Sequence, residues 1–221
     1  MNNFWTWFKT VEPALAHRGV TFRKMFEYLD QVTGPVIIVE TGCARQVDNW
    51  TGDGQSTVMF DRYINERKDG STVATVDISQ ESVDYCRSRV SKLTQVNHDD
   101  SVHFLSELVG QLDQADKTIN LLYLDSYDVD FDYWFPSAAH HLKEMATIMP
   151  AVDASTLVVV DDCPPSVDII PGEDTQQPAT VMKYRVGGKG RLVDELAKAV
   201  GAELFFSYYQ VGWTKFNKWK K

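Results

Sequence analysis

Four strand-sized runs of the chain end in carboxylates. Val36–Val39 leads into Glu40-Thr41-Gly42, Thr72–Val76 into Asp77-Ile78, Leu121–Leu124 into Asp125-Ser126-Tyr127-Asp128, and Leu157–Val160 into Asp161-Asp162. An acid at the carboxyl end of a buried strand lies where open α/β sheets bind their ligands, and one in the position of Asp77 can accept hydrogen bonds from both hydroxyls of a ribose. Gly42 would let a ligand approach the backbone closely. Asp125, Asp161 and Asp162 brought into one cleft would repel one another unless a cation, protons or hydrogen bonds compensated. Their all-oxygen chemistry suits a hard ion such as Mg²⁺ or Ca²⁺. In the alternative reading, Asp125 alone positions a cofactor or substrate and Asp161 or Asp162 caps a turn. His140 and His141 follow Pro136 on a helical pattern; an imidazole titrates near neutrality and can serve as a general base, or the pair can be one packed and one solvated residue. Gly187-Gly188-Lys189-Gly190-Arg191 lacks the spacing of a phosphate-binding P-loop. As a turn it could still bring Lys189 or Arg191 to an acidic group on a substrate.

The elements that must hold these residues alternate between short β-branched runs and segments of helical period, the pattern of βαβ units around a largely parallel sheet. The spacing predicts strands over Pro35–Glu40, Thr72–Asp77, Val102–Leu105, Ile119–Asp125 and Leu157–Asp162. Helices are expected over Ser56–Glu66, Gln80–Leu93, Leu108–Asp116, Tyr133–Ile148 and Lys189–Val200. Glu203–Phe216 reads as two strands around a turn near Gln210–Gly212, an antiparallel hairpin that brings the sheet to about seven strands. Thr21–Val32, with Phe22, Met25, Phe26 and Leu29 at helical spacing, is an N-terminal accessory helix, and 1–33 is read apart from a main domain over 34–221. Pro164–Thr180 is proline-rich and expected to be a loop, of the kind that serves as a lid or binding segment.

Composition narrows the function. The chain has 221 residues, 43% of them hydrophobic, enough for one buried core. A formal charge of −9 argues against a nucleic-acid partner. Cys43, Cys86 and Cys163 are far apart with no CxxC spacing, so a reducing, cytoplasmic setting is expected rather than a disulfide framework or zinc site. No apolar run is long enough to cross a membrane, and no signal-peptide pattern opens the chain. The aromatic stretch Phe4-Trp5-Thr6-Trp7-Phe8 could pack on the domain, cap a pocket or meet a second copy in a homodimer.

Taken in order, Glu40-Thr41-Gly42, the later Gly54, the acid Asp77, and the acids after the fourth and fifth strands resemble the class I S-adenosylmethionine-dependent methyltransferases, and within them the metal-dependent O-methyltransferases of the catechol and macrocin type. The loop between Gly42 and Gly54 is longer than that family's motif. The compact G-x-G-x-x-G of dinucleotide oxidoreductases is missing. The resemblance implies a Rossmann-like three-layer α/β/α sandwich with a seven-stranded, mostly parallel sheet. It also implies transfer of a methyl group from S-adenosylmethionine to an oxygen of a small-molecule acceptor. Glu40, Thr41, Gly42, Cys43, Ser56, Asp77, Ile78, Glu107 and Asp125 would then contact the cofactor, Glu107 from the end of the third strand. Asp125, Asp161 and Asp162 would hold Mg²⁺. The family's second acid after strand four falls on Tyr127, so Asp125, Asp128, His140 and His141 are all candidates for catalysis. A metal-independent N- or carboxyl-methyltransferase and a non-catalytic protein that binds the same cofactor are the alternatives. The acceptor is unspecified; its pocket is expected from 1–31, 43–53 and 164–180.

Overall fold

The structure, a computed structural model, describes residues 3–170 and 181–216. Two N-terminal helices, α1 (Asn3–Val11) and α2 (Gly19–Leu29), precede strand β1 (Ile37–Thr41). Helix α3 (Ser56–Arg67), β2 (Thr72–Asp77), α4 (Gln80–Arg89), β3 (Thr94–His98) and α5 (Ser101–Gln114) complete the first half. The second half runs β4 (Leu121–Leu124), α6 (Phe135–Ile148), β5 (Leu157–Val160), β6 (Pro165–Ile170), β7 (Val181–Val186), α7 (Arg191–Val200), β8 (Glu203–Ser207) and β9 (Val211–Thr214).

Seven strands form one sheet in the order β3-β2-β1-β4-β5-β9-β8, with β6 and β7 paired antiparallel in a separate ribbon. All pairings from β3 to β5 are parallel, and β9 joins β5 antiparallel with β8 outside it. This is the Rossmann-like α/β arrangement expected. The strand order reverses between β1 and β4, which opens a crevice at their carboxyl ends. Strands β4 and β5 are apolar throughout because both faces are covered. In β4, Leu121 and Tyr123 face a core built with α1, α2 and α3, while Leu122 and Leu124 face one built with α5, α6 and α7. Among the described residues no helix is long and apolar enough to cross a membrane.

Two expected elements are corrected. Val102–Leu105 is helical, lying in the first turns of α5, and the third strand is Thr94–His98. The Asp100 carboxylate accepts the backbone N–H groups of Val102 and His103, both at 3.0 Å, and so starts a helix whose Phe104, Leu105, Leu108 and Leu112 fall on one buried stripe. Helix α4 stops at Arg89, which frees Thr94–His98 to pair with β2 from Val73↔Thr94 to Asp77↔His98. The segment read as a loop over Pro164–Thr180 opens with β6, proline at its first position, where a missing N–H costs least. Residues 171–180 of that segment lie outside the described residues.

The aromatic N-terminus is packed within the chain. Phe4 and Phe8 are fully buried, and Phe26 of α2 has ring centroids of Phe4 at 4.6 Å, Tyr63 at 5.0 Å and Phe60 at 6.0 Å. Helices α1 and α2 therefore contribute to the core of the sheet domain. Phe26→Ala is expected to lower unfolding free energy by about 3–5 kcal/mol in urea denaturation, in one cooperative transition. A loss below about 1 kcal/mol would mean that the N-terminal helices dock without supporting the sheet.

Candidate functional site

The crevice between β1 and β4 is bounded by turns that the sequence makes tight. Gly42 has φ +79°, and a Cβ there would collide with the carbonyl oxygen of Asp125. Its N–H donates to the Val76 carbonyl at 2.8 Å, and the Cys43 N–H donates to Asp77 Oδ2 at 3.2 Å. The Ser79 N–H donates to Asp77 Oδ1 at 2.8 Å. Asp77 is thereby oriented by backbone donors on both oxygens, each with a lone pair to spare. It lines a cavity of 300 Å³ shared with Gly42, Ile78, Ser101, Tyr127 and His140. The Ile78 and Tyr127 side chains are exposed there, 74% and 48%.

Behind this rim, Glu40 is fully buried on β1. Thr57 donates to Glu40 Oε2 at 2.5 Å and accepts the Ala44 N–H at 3.0 Å, which ties the end of β1 to the first turn of α3. Burial pushes the Glu40 carboxyl up to about 7, against the pull of the hydroxyls around it. Cys43 and Ser56 border a narrow extension of the crevice, 20 Å³, together with Arg45, Asp53 and Asp125. Arg45 closes it from above, its Nε 3.0 Å from Asp53 Oδ1 and its Nη1 3.0 Å from Asp128 Oδ2. Asp128 itself is turned toward solvent, its side chain 70% exposed.

The acids after β4 and β5 do meet, but they meet cations of the chain. Arg18, buried at the start of α2, donates from Nε to both oxygens of Asp161, at 3.0 and 2.7 Å, and from Nη2 to Asp162 Oδ1 at 2.7 Å. Lys189, 1% exposed, places Nζ 2.5 Å from Asp125 Oδ1 and 2.9 Å from Asp162 Oδ2. Tyr123 donates to Asp161 Oδ2 at 2.6 Å, and Gln210 donates in turn to the Tyr123 oxygen at 2.7 Å. The Arg18 guanidinium lies 4.8 Å from the Tyr209 ring centroid. Burial drives the Asp125 carboxyl well above the ordinary range, with Lys189 opposing it. Asp162 is held low by Lys189 and Arg18 against the effect of burial, and Lys189 is held charged by Asp125 and Asp162.

This donor set does not fit the expected Mg²⁺. The carboxylates are already taken by a guanidinium and an ammonium, and among the described residues no group of three or more His, Cys, Asp or Glu side chains is placed to hold a metal ion. The physical reason is charge balance: two resident cations do what a divalent ion would do for three converging acids.

The two histidines separate. His140 lines the cavity, with Nε2 2.9 Å from Ser101 Oγ and 3.4 Å from Glu144 Oε1. His141 is fully buried, its Nδ1 donating to the Ser137 carbonyl at 2.7 Å, and burial holds its pKa down to about 4. Glu144 is buried as well; it accepts hydrogen bonds from Ser126 at 2.6 Å and Thr41 at 3.2 Å, so Thr41 serves to join β1 to α6. Glu107 is corrected: it is exposed on α5, because the strand whose end it was to occupy is Thr94–His98. Asp100 and Ser101 line the cavity in its stead.

Arg18 and Glu144 were not found from sequence. Neither carries a local signal, since Arg18 reaches acids far along the chain and Glu144 reads as a helix surface residue. Asp100 did have one, an acid just ahead of an apolar helical stripe.

No family model matches the sequence, and no curated protein matches it. Among solved structures, that of the glycopeptide N-methyltransferase MtfA complexed with S-adenosyl-L-methionine is similar over 86% of this chain and 93% of that one, at 10% identity and a TM-score of 0.46. The DhpI–SAH complex is similar over 97% of each chain, at 10% identity and 0.43. The YIR035C short chain dehydrogenase/reductase from Saccharomyces cerevisiae is similar over 58% of this chain and 53% of that one, at 14% identity and 0.42.

Two measurements probe its electrostatics. As pH rises from 4.5 to 7 the unfolded chain ionises its glutamates before Glu40 does, so Glu40 takes up to roughly 3 kcal/mol from stability, the full loss being reached above pH 7. Glu40→Gln should therefore gain on the wild type across that window in urea denaturation, and a pH-independent difference would contradict the buried carboxyl. Lys189→Met should lower stability by about 3–5 kcal/mol at neutral pH by leaving buried acids uncompensated; an unchanged midpoint would remove the ion network from the fold's support.

Proposed function

We propose that the protein is a methyltransferase that binds S-adenosylmethionine in the crevice at the β1/β4 reversal and methylates an oxygen of a small-molecule acceptor without a resident metal. One observation carries the reading. Asp77, oriented by two backbone N–H groups, stands at the rim of a 300 Å³ cavity walled by Ile78 and Tyr127 and floored by the turn at Gly42. A carboxylate there suits a ribose diol, and the two exposed apolar faces suit a purine. Asp100 and Ser101 supply polar groups at the purine's edge.

Beyond Gly42 the crevice narrows to 20 Å³ beneath Arg45. A short aminoacyl arm seated there would displace the Arg45 side chain, which is 46% exposed and pairs with the exposed Asp128 and with Asp53, whose own side chain is 8% exposed. When bound, the cofactor supplies an electrophilic methyl group on a sulfonium. The chain's part is to hold the acceptor in line with it and exclude water, which accounts for most of the acceleration in such a displacement. Asp125, at the crevice edge and paired as a carboxylate with Lys189, is placed to take the acceptor's proton as the oxygen gains the methyl group and the sulfonium becomes a neutral thioether, and Lys189 keeps Asp162 as its counter-ion once Asp125 is neutral. His140, on the cavity wall, belongs to the cofactor side of this arrangement.

Calorimetric titration with S-adenosylhomocysteine tests the proposal. Micromolar binding is expected, weakened at least tenfold in Asp77→Asn and unchanged by EDTA, with methyl transfer to the acceptor also unchanged by EDTA. Absence of binding would overturn the reading, and activity abolished by EDTA and restored by Mg²⁺ would overturn its metal-free form.

A further inference from the structure

The 300 Å³ cavity and its narrow extension meet at Gly42, Asp77 and Ser126, which line both. Gly42 offers only backbone, and each Asp77 oxygen already accepts a backbone N–H, from Cys43 or from Ser79. Ser126 is the one neutral side chain of the three. With a nucleoside in the cavity and an aminoacyl arm in the extension, the sulfur that joins them lies at this junction, beside the Ser126 hydroxyl.

That hydroxyl has a fixed direction. Ser126 Oγ donates to Glu144 Oε1 at 2.6 Å, and Glu144 is fully buried on α6. Thr41 Oγ1 donates to Glu144 Oε2 at 3.2 Å, and His140 Nε2 lies 3.4 Å from Oε1. Burial alone would push this carboxyl up, but a hydrogen bond from His140, the neighbouring His141 and hydrogen bonds from Ser101 and Ser126 hold it below its ordinary range. An ionised carboxylate only accepts, so the single proton of the Ser126 hydroxyl is committed to Glu144. What Ser126 has left to offer a ligand are oxygen lone pairs, which accept and do not donate.

The charges around the junction have the same sign as those lone pairs. Arg45 answers Asp53 and Lys189 answers Asp125, whereas Asp77 is held by neutral N–H groups. Two anions, Asp77 beside the junction and Glu144 behind Ser126, therefore act on whatever sulfur occupies it. A sulfonium is attracted to both, and its polarised methyl C–H groups can donate weakly to Ser126 Oγ. A thioether is neutral and turns a lone pair of its own toward that oxygen, acceptor against acceptor. A polar contact left unmade in this way costs affinity.

We propose that Ser126, oriented by Glu144, makes the site select the methyl donor over the demethylated product by the charge on sulfur. The inference rests on the reading of the larger cavity as the cofactor site; Ser126 touches the reacting group, and Glu144 is a positioning residue that acts through it. The test is calorimetric titration of the intact chain with S-adenosylmethionine, with S-adenosylhomocysteine and with sinefungin, which carries a primary ammonium on carbon in place of the methylated sulfur. Both cations are expected to bind about tenfold more tightly than the thioether. Ser126→Ala should bring that ratio to within about threefold. Glu144→Gln, whose amide can donate to Ser126 and release its proton, should also shrink the ratio, whereas a merely structural loss would weaken all three ligands alike. If Glu144→Gln does not fold, Ser126→Ala decides by itself. Equal affinities for the three ligands, or a preference that survives in Ser126→Ala, would overturn the selection and leave the cofactor reading intact. Binding of none of them would remove that reading and the selection with it.

Discussion

Two cations and three carboxylates, closed away beneath the carboxyl edge of the sheet, constrain nearly everything else in the molecule. Moving such charges out of water costs several kcal/mol each, and only mutual contact of good geometry offsets that cost. Arg18 answers Asp161 and Asp162; Lys189 answers Asp125 and Asp162. The partners come from the start of α2, the ends of β4 and β5, and the turn before α7. The arrangement can form only when the N-terminal helices, the middle of the sheet and the last helix are all in place. This explains why α1 and α2 share an aromatic core with β1, β4 and β5 and do not hang from them as an appendage.

The same network divides the carboxyl edge into two environments. On one side, Gly42 lets the turn after β1 lie against the backbone of Asp125, leaving Asp77 to face an open cavity. On the other, Gly187 and Gly188 let the turn before α7 lie against Asp162 and Pro164, leaving an aromatic cleft beside Arg191. Both close approaches depend on glycine, and both flank the buried charges. A single segment, from Asp125 to Trp134, contributes to each side. Glu144 extends the polar network beneath the larger cavity by joining Thr41 of β1 to Ser126, so that cavity is held by hydrogen bonds from below as well as by backbone contacts at its rim.

The order of alternating strands and helices was legible from the chain because apolar runs and helical stripes are local patterns, and so was the set of acids that the parallel strands deliver to one edge. Glu40, Asp77, Asp125, Asp161 and Asp162 reach that edge because each follows a buried run. The third strand was misplaced because Val102–Leu105 is as apolar as a strand, and only the Asp100 cap and the pairing of Thr94–His98 with β2 decide between the alternatives. The ribbon of β6 and β7 was hidden by the prolines that open it.

What compensates the acids was decided by tertiary structure alone. From spacing, three converging carboxylates call for a cation without saying which. Arg18 lies outside any motif, and Lys189 sits in a glycine-rich turn whose local reading is flexible; only the folded chain brings their charges within hydrogen-bonding distance of the acids. Local periodicity specifies elements and the edge at which their ends emerge, whereas the pairing of buried charges depends on contacts between segments remote in sequence, Arg18 and Asp161 at a separation of 143 and Lys189 and Asp125 at 64.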